Sequence, residues 1–265
     1  MTEAAARERL ARFRAQAAVV YGSGLEALPP GARVEDELAY PELGWPCTAV
    51  PGHAGVVRLV SGVAAGKARL RLALACGRPH LYEGWSDDEL QRPVRDLAAA
   101  GVRRVVLTNS TGSLRQDIEP GDIVVCGDLV DLQAPPAEAE PPRLEVCPPE
   151  AAEAVAASLV TAGERGATIA GVHTGTYVAV AGPQFETRAE VAWLAGYGDV
   201  VGMSAAPEVR AMRAAGAECC LLALVVNRAA AVGSHEAVLA FAGSLAVALS
   251  ANLVDALQAR WPGLV

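Results

Sequence analysis

Short apolar runs of β type recur along this chain with helical stretches between them, and no other feature limits the fold so strongly. The runs are AAVVYGSG (17–24), CTAVPG (47–52), RLRLALACG (69–77), RRVVLTNSTG (103–112), DIVVCGDLVD (122–131), GTYVAVAGP (175–183), GDVVGMS (198–204) and CCLLALVVN (219–227). Such alternation predicts an α/β chain with a mixed central sheet surrounded by helices. Several runs end in Gly, Ser, Thr or Asn where a loop begins. Ligands of open α/β sheets gather outside the carboxyl ends of the strands, so these tips are where chemistry is expected.

Helices are expected over Asp87–Ala100, closed by Gly101, over Pro149–Thr161, closed by Gly163, and over Ala189–Ala195, closed by Gly196. Another starts near Pro207, and the last runs from about Ser234. The segment Ala134–Glu150 holds six prolines and several acids and reads as an exposed, irregular connector. With 265 residues, 52% of them apolar, the chain suits one large core, hence a single domain over 1–265.

Composition narrows the function classes. Thirty acidic against 22 basic side chains, with no Lys/Arg stripe interleaved with aromatics, weigh against a nucleic-acid partner. The first residues carry Glu3, Glu8 and four arginines without an apolar core, as an amphipathic helix does and a signal peptide does not, so a cytoplasmic protein is expected. Ala237–Val254 runs without a charge, but Gly243, Ser244, Ser250 and Asn252 interrupt it, and a buried helix is expected rather than a membrane span. The six cysteines lack CxxC spacing and the four histidines lack HExxH spacing, so no disulfide framework and no metal are expected.

The motifs point to a small anion and a planar heterocycle. Gly22-Ser23-Gly24 ends an apolar run, where backbone N–H groups and the Ser23 hydroxyl can approach an anion. Gly22, Gly24 and Ala27 also fit a loose dinucleotide pattern, but Pro29, Pro30 and Gly31 stop the helix it requires. In Gly77–Gly84 an extended chain would project Arg78, His80 and Tyr82 to one side, with Glu83 able to orient His80 and keep it ionised. The Arg fork suits phosphate. Ser204 precedes a helix with Pro207 in its first turn. Phe185 and Glu186 offer an aromatic face beside a carboxylate, Asn227 ends an apolar strand with a two-way amide, and Thr187 to Glu190 fits a capping box.

Taken in order, GSGL (22–25), PGHAG (51–55), GRPHLYEG (77–84), LTNSTG (107–112), GTYVAVAGPQFET (175–187), VGMSAAPEV (201–209), VVN (225–227) and SHEAVL (234–239) resemble the trimeric purine nucleoside phosphorylase family. The resemblance implies a partly barrel-like sheet and phosphorolysis of 6-oxopurine nucleosides such as inosine and guanosine. Phosphate is then a co-substrate, no cofactor is needed, and the assembly is a homotrimer. It implies a phosphate site of Ser23, His53, Arg78, His80, Ser204 and the backbone at Ser110. Ribose would be met by Tyr82, Met203 and His235, and the base by Phe185, Glu186 and Asn227, with His80, Glu186 and Asn227 nearest the chemistry. Two departures stand out: the segment after Asp131 is short and carries no aromatic before Glu150, and the stretch from Asn227 to His235 is short, with Arg228 in it.

Rival readings remain at this level. A 5′-methylthio-nucleoside phosphorylase would use the same scaffold. Ser204 in GxSxA with His235 downstream could be a serine hydrolase, although the elbow lacks its last glycine and no Asp lies between the two. A nucleoside-binding protein without turnover is the non-enzyme alternative.

Overall fold

The computed structural model describes residues 1–65, 68–133, 142–164, 169–230 and 235–261. Its elements run α1 (Glu3–Phe13), β1 (Ala17–Tyr21), β2 (Arg33–Ala39), α2 (Tyr40–Leu43), β3 (Val56–Ala65) and β4 (Ala68–Cys76). A 3-10 turn (Leu81–Glu83), α3 (Asp87–Ala99), β5 (Arg104–Ser113), β6 (Ile123–Asp131), β7 (Arg143–Glu145) and α4 (Pro149–Glu164) follow. The chain continues through β8 (Val172–Ala179), α5 (Arg188–Leu194), β9 (Val200–Gly202), α6 (Ala206–Ala214), β10 (Glu218–Arg228) and α7 (His235–Arg260).

All ten strands join one sheet in the order β10-β6-β8-β9-β5-β1-β4-β3-β2, with β7 on β6. A second pairing, β10 with β5, closes β5-β9-β8-β6-β10 into a five-strand ring, from which β1, β4, β3 and β2 extend as an open wing. Within the sheet β1, β4, β5 and β10 run parallel, so their carboxyl ends meet at one rim.

The apolar runs form strands because both faces of the sheet are covered, which demands near-continuous hydrophobicity. Along β1 the residues alternate between two cores. Ala18 and Val20 pack with Leu10, Leu97, Val209 and Met212 of α1, α3 and α6. Ala17, Val19 and Tyr21 pack with Val155, Leu159, Leu249, Leu253 and Leu257 of α4 and α7. Strand β10 alternates likewise, Leu221 and Ala223 on one side, Leu222 and Leu224 on the other.

Several sequence expectations change. CTAVPG (47–52) is a loop and not a strand, since Pro46 and Pro51 cannot donate to a ladder and Gly52 and Gly55 take positive φ. Arg143–Glu145, inside the expected irregular connector, is β7, paired with Asp128–Val130 of β6; residues 134–141 lie outside the described ones. Gly163 does not close α4, which reaches Glu164, and its Val155 and Leu159 sit in the α7 core. Ser86 and Thr187 each cap a helix through a reciprocal box with Glu89 and Glu190. Helix α7 is long and apolar enough to cross a membrane by length and composition; its Leu249, Leu253 and Leu257 are buried in the second core.

Candidate active site

A cavity of about 280 Å³ opens at the rim where β1, β4, β5, β8, β9 and β10 end. Of the sequence-predicted residues, Ser23, Arg78, His80, Tyr82, Ser110, Phe185, Glu186, Met203, Ser204, Asn227 and His235 all line it. His53 does not; it stands directly behind Ser23.

The strand ends set these positions through close backbone approaches. A Cβ on Gly22 would lie 2.6 Å from Thr108 O and 2.9 Å from Asn109 Cα, so only glycine lets the Ser23 loop lie against β5. Strand β10 carries a bulge between Val225 and Asn227 opposite Thr111 and Gly112. One extra residue reverses the side-chain phase, and so Val226 and Asn227, though adjacent, both reach the cavity. After β9, Ala205 takes φ 69 and ψ −33, with Ala206 N–H donating to Ser204 O at 3.0 Å. A positive-φ γ-turn at a non-glycine residue is strained, and here it sits between Ser204 and the first turn of α6.

At one end of the cavity the donors for an anion collect. Arg78 is 3% exposed. Its Nε lies 2.7 Å from Glu208 Oε1, Nη1 donates to Thr108 O at 2.8 Å and Nη2 to Val20 O at 3.3 Å. Most of the fork is thus held by the protein, and Arg78 offers the cavity its charge and one edge. His80 is extended (φ −122, ψ 155), as expected, but Leu81–Glu83 is a 3-10 turn, so Tyr82 reaches the cavity from a turn and not along the same extended strand as Arg78 and His80. The Tyr82 ring stacks on His80 with centroids 4.8 Å apart, and burial, then Glu83, raises its phenol pKa to about 12.

Glu83 orients His80. Its Oε1 accepts from the His80 backbone N–H at 2.8 Å and lies 3.0 Å from His80 Nδ1. Thr48 Oγ1 and Ala49 N–H donate to the same carboxylate. Burial pushes the Glu83 pKa up, but the hydrogen bonds from His80 and Thr48 outweigh it and leave the group below the usual range.

His53 Nδ1 accepts the Arg78 N–H at 3.1 Å, so the ring hydrogen sits on Nε2, 3.0 Å from Ser23 Oγ. Burial, followed by the neighbouring His80 and Arg78, lowers its pKa to about 3. A neutral His53 therefore donates to Ser23 and leaves the Ser23 O–H free to donate in turn. The Ser110 hydroxyl donates to Ser23 O at 2.9 Å and fixes the same loop.

The other end of the cavity is less polar. Phe185 is 40% exposed, burial raises the Glu186 carboxyl pKa, and Asn227 Nδ2 donates to Arg228 O at 3.0 Å with one of its two hydrogens. Met203 packs against Gly182, which leaves no room there for a side chain. His235 Nε2 lies 3.2 Å from Pro51 O. Residues 231–234, and with them most of the short Asn227–His235 stretch, lie outside the described residues.

The hydrolase reading loses its geometry. Ser204 Oγ is partnered by Asn109 and Arg78, His235 by a backbone carbonyl, and Glu208 by Arg78; no triad forms among the described residues. Sequence reasoning missed the site roles of Asn109, Glu208 and Tyr177. Glu208 was visible only as part of VGMSAAPEV and Asn109 only as part of LTNSTG, because their partners lie far away in the chain.

Parallel β1, β4, β5 and β10, with β8 and β9 running against them, thus surround a cavity with an anion-donor cluster at one pole and an aromatic–carboxylate–amide set at the other, the site of a group-transfer enzyme on a phosphorylase-like α/β scaffold. A family model described as the phosphorylase superfamily matches residues 17–259. The chain is 34% identical to purine nucleoside phosphorylase 1 of Geobacillus stearothermophilus over 223 residues, covering 82% of this chain and 80% of that one. It is also 34% identical to the Bos taurus purine nucleoside phosphorylase over 268 residues, covering 94% and 90%. The crystal structure of Schistosoma mansoni purine nucleoside phosphorylase in complex with inosine superimposes with a TM-score of 0.72 at 27% identity, covering 97% of this chain and 98% of that one. The chain belongs to the phosphorylase superfamily and, within it, to the purine nucleoside phosphorylases, a family of pentosyltransferases.

Proposed function

We propose that this protein phosphorolyses 6-oxopurine nucleosides such as inosine and guanosine, and their deoxy forms. The observation that carries the reading is the polarity of one cavity. Ser23, Arg78, His80 and Ser204 converge at one end, Phe185, Glu186 and Asn227 at the other, and Tyr82, Met203 and His235 also line it.

Phosphate held at the donor end attacks C1′ as the glycosidic bond loosens. An oxygen of hydrogen phosphate bonds to C1′ as the C1′–N9 bond breaks, that bond's electron pair passes to the purine, and the proton that the phosphate gives up is taken up by the purine. The products are ribose 1-phosphate and free base. Holding an anion against a ribosyl cation, and stabilising negative charge on the leaving purine, calls on positioning and electrostatics. Glu186 as a carboxylate accepts from N1–H and Asn227 donates to N7, a pairing suited to a 6-oxopurine. His53 acts through Ser23 and is assigned as a positioning group.

A homotrimer is part of this proposal. Phe185 and Trp193, 40% and 51% exposed, lie on the loop and helix after β8, where a neighbouring copy would cover them; sedimentation velocity tests it. The cytoplasm is the proposed compartment, in keeping with six cysteines that are all unpaired.

The test is hypoxanthine release from inosine with and without millimolar phosphate. Release is expected only with phosphate, and Arg78→Ala is expected to abolish it while circular dichroism stays unchanged. Release without phosphate, or full activity of Arg78→Ala, overturns the reading, and a strong preference for methylthioadenosine over inosine overturns the 6-oxopurine assignment.

A further inference from the structure

Two serine hydroxyls face the anion end of the cavity, and buried N–H groups fix the direction in which each can donate. For Ser23 the donor is His53, whose Nδ1 is occupied by the Arg78 N–H and whose Nε2–H therefore points at Ser23 Oγ. Ser204 has a comparable arrangement from a different side. Its Oγ lies 3.1 Å from Asn109 Nδ2 and 3.4 Å from Arg78 Nη1. Both nitrogens are donors only, so the Ser204 oxygen accepts from them, and its proton is left with two directions: Tyr177 Oη, which also shares a side-chain hydrogen bond with Ser204 and already receives the Ser204 N–H, and the cavity. The backbone gives it no freedom to turn away: Ser204 N–H donates to Tyr177 Oη at 3.3 Å, and the γ-turn at Ala205 fixes the next peptide.

Asn109 is 1% exposed, and its Oδ1 accepts no hydrogen bond. A buried carbonyl without a donor is unfavourable, so packing alone would be better served there by an apolar side chain. What the amide supplies is its N–H, and Ser204 Oγ receives it.

We propose that Asn109 is a positioning residue of the anion site: its side-chain N–H holds Ser204 Oγ as an acceptor and thereby directs the Ser204 O–H into the cavity as a donor to phosphate. This rests on the phosphorylase reading above. Turned over, the same amide would present a carbonyl that captures the Ser204 proton, and the serine would then have nothing to offer an anion.

The experiment is a double-mutant cycle on the purified full chain with Ser204→Ala, Asn109→Leu and their combination, and Asn109→Asp as a near-isosteric single variant. Inorganic phosphate is titrated calorimetrically, and KM is measured separately for phosphate and inosine. Asn109→Leu and Asn109→Asp are each expected to weaken phosphate binding and raise its KM about tenfold, with the inosine KM within about twofold, because a hydrogen bond to a charged group is lost. The double variant is expected to bind phosphate no worse than Ser204→Ala alone. Losses that multiply in the double variant, wild-type phosphate affinity in Asn109→Asp, or an equal rise in both KM values overturns the proposal. If Asn109→Leu fails to fold, Asn109→Asp carries the decision through its phosphate affinity. Should the wild type bind phosphate through Asn109 yet release no base, the phosphorylase reading falls and the positioning role stands.

Discussion

Neutral imidazole at His53 is enforced by burial first and then by its neighbours His80 and Arg78, which together bring its pKa to about 3. An unfolded chain protonates the same ring near pH 6.5. Between pH 6.5 and about 3 the unfolded state therefore binds a proton that the folded state refuses, so stability falls as pH drops through that window. One such group changes the slope by up to about 1.4 kcal/mol per pH unit. His53→Gln keeps a donor and an acceptor in place but removes the titration. Denaturant melts of both proteins between pH 6 and 4 are expected to show a shallower decline in the variant; parallel slopes would refute the neutral assignment. At this scale the sequence was legible wherever chemistry lay in a local motif: Ser23, Arg78, His80 and Glu186 all reach the cavity. It was silent on Asn109 and Glu208, whose meaning comes from Ser204, 95 residues from Asn109, and from Arg78.

Helix α7 and the β10 bulge show the same division among elements. A 26-residue apolar helix can be read from composition, but which side it buries cannot, because small residues surround it. The structure buries Leu253 completely beside Val155 and Leu159 of α4. Leu253→Ala removes three buried carbons in a packed site and is expected to destabilise by about 2–5 kcal/mol. Calorimetric melting is the check, and a change below about 1 kcal/mol would mean the α4–α7 layer is loosely packed. Strand β2 escaped the sequence reading because its exposed pattern, with Glu35, Asp36 and Glu37, is that of an edge and not of a core. Charges along an edge strand discourage pairing with another chain. The loop 47–52 was mistaken for a strand because its apolar content outweighed Pro51 and Gly52 in the reading, whereas in the fold backbone hydrogen-bond supply decides.

The molecule as a whole is a ring with a wing, and the ring closes between distant parts of the chain, Arg104–Ser113 with Glu218–Arg228. Pairings of such long separation form late, since loop-closure entropy must be offset first. Refolding from denaturant is expected to regain far-ultraviolet circular dichroism before enzymatic activity, because the last strand carries Asn227. Simultaneous recovery of both signals would count against late closure. An α/β sheet was legible from alternation alone, but ring closure was not, since period and length in β10 do not reveal that it has both β5 and β6 as partners.

That closure also bears on how the protein is made. While the ribosome is still adding residues before 218, β5 and β6 each present a free side where β10 will lie, and open strand edges invite association between nascent chains. The same strand that seals both edges delivers Val226 and Asn227 to the cavity. An incomplete chain is thus at its stickiest when its cavity still lacks that wall, and the edges and the cavity are completed in one event.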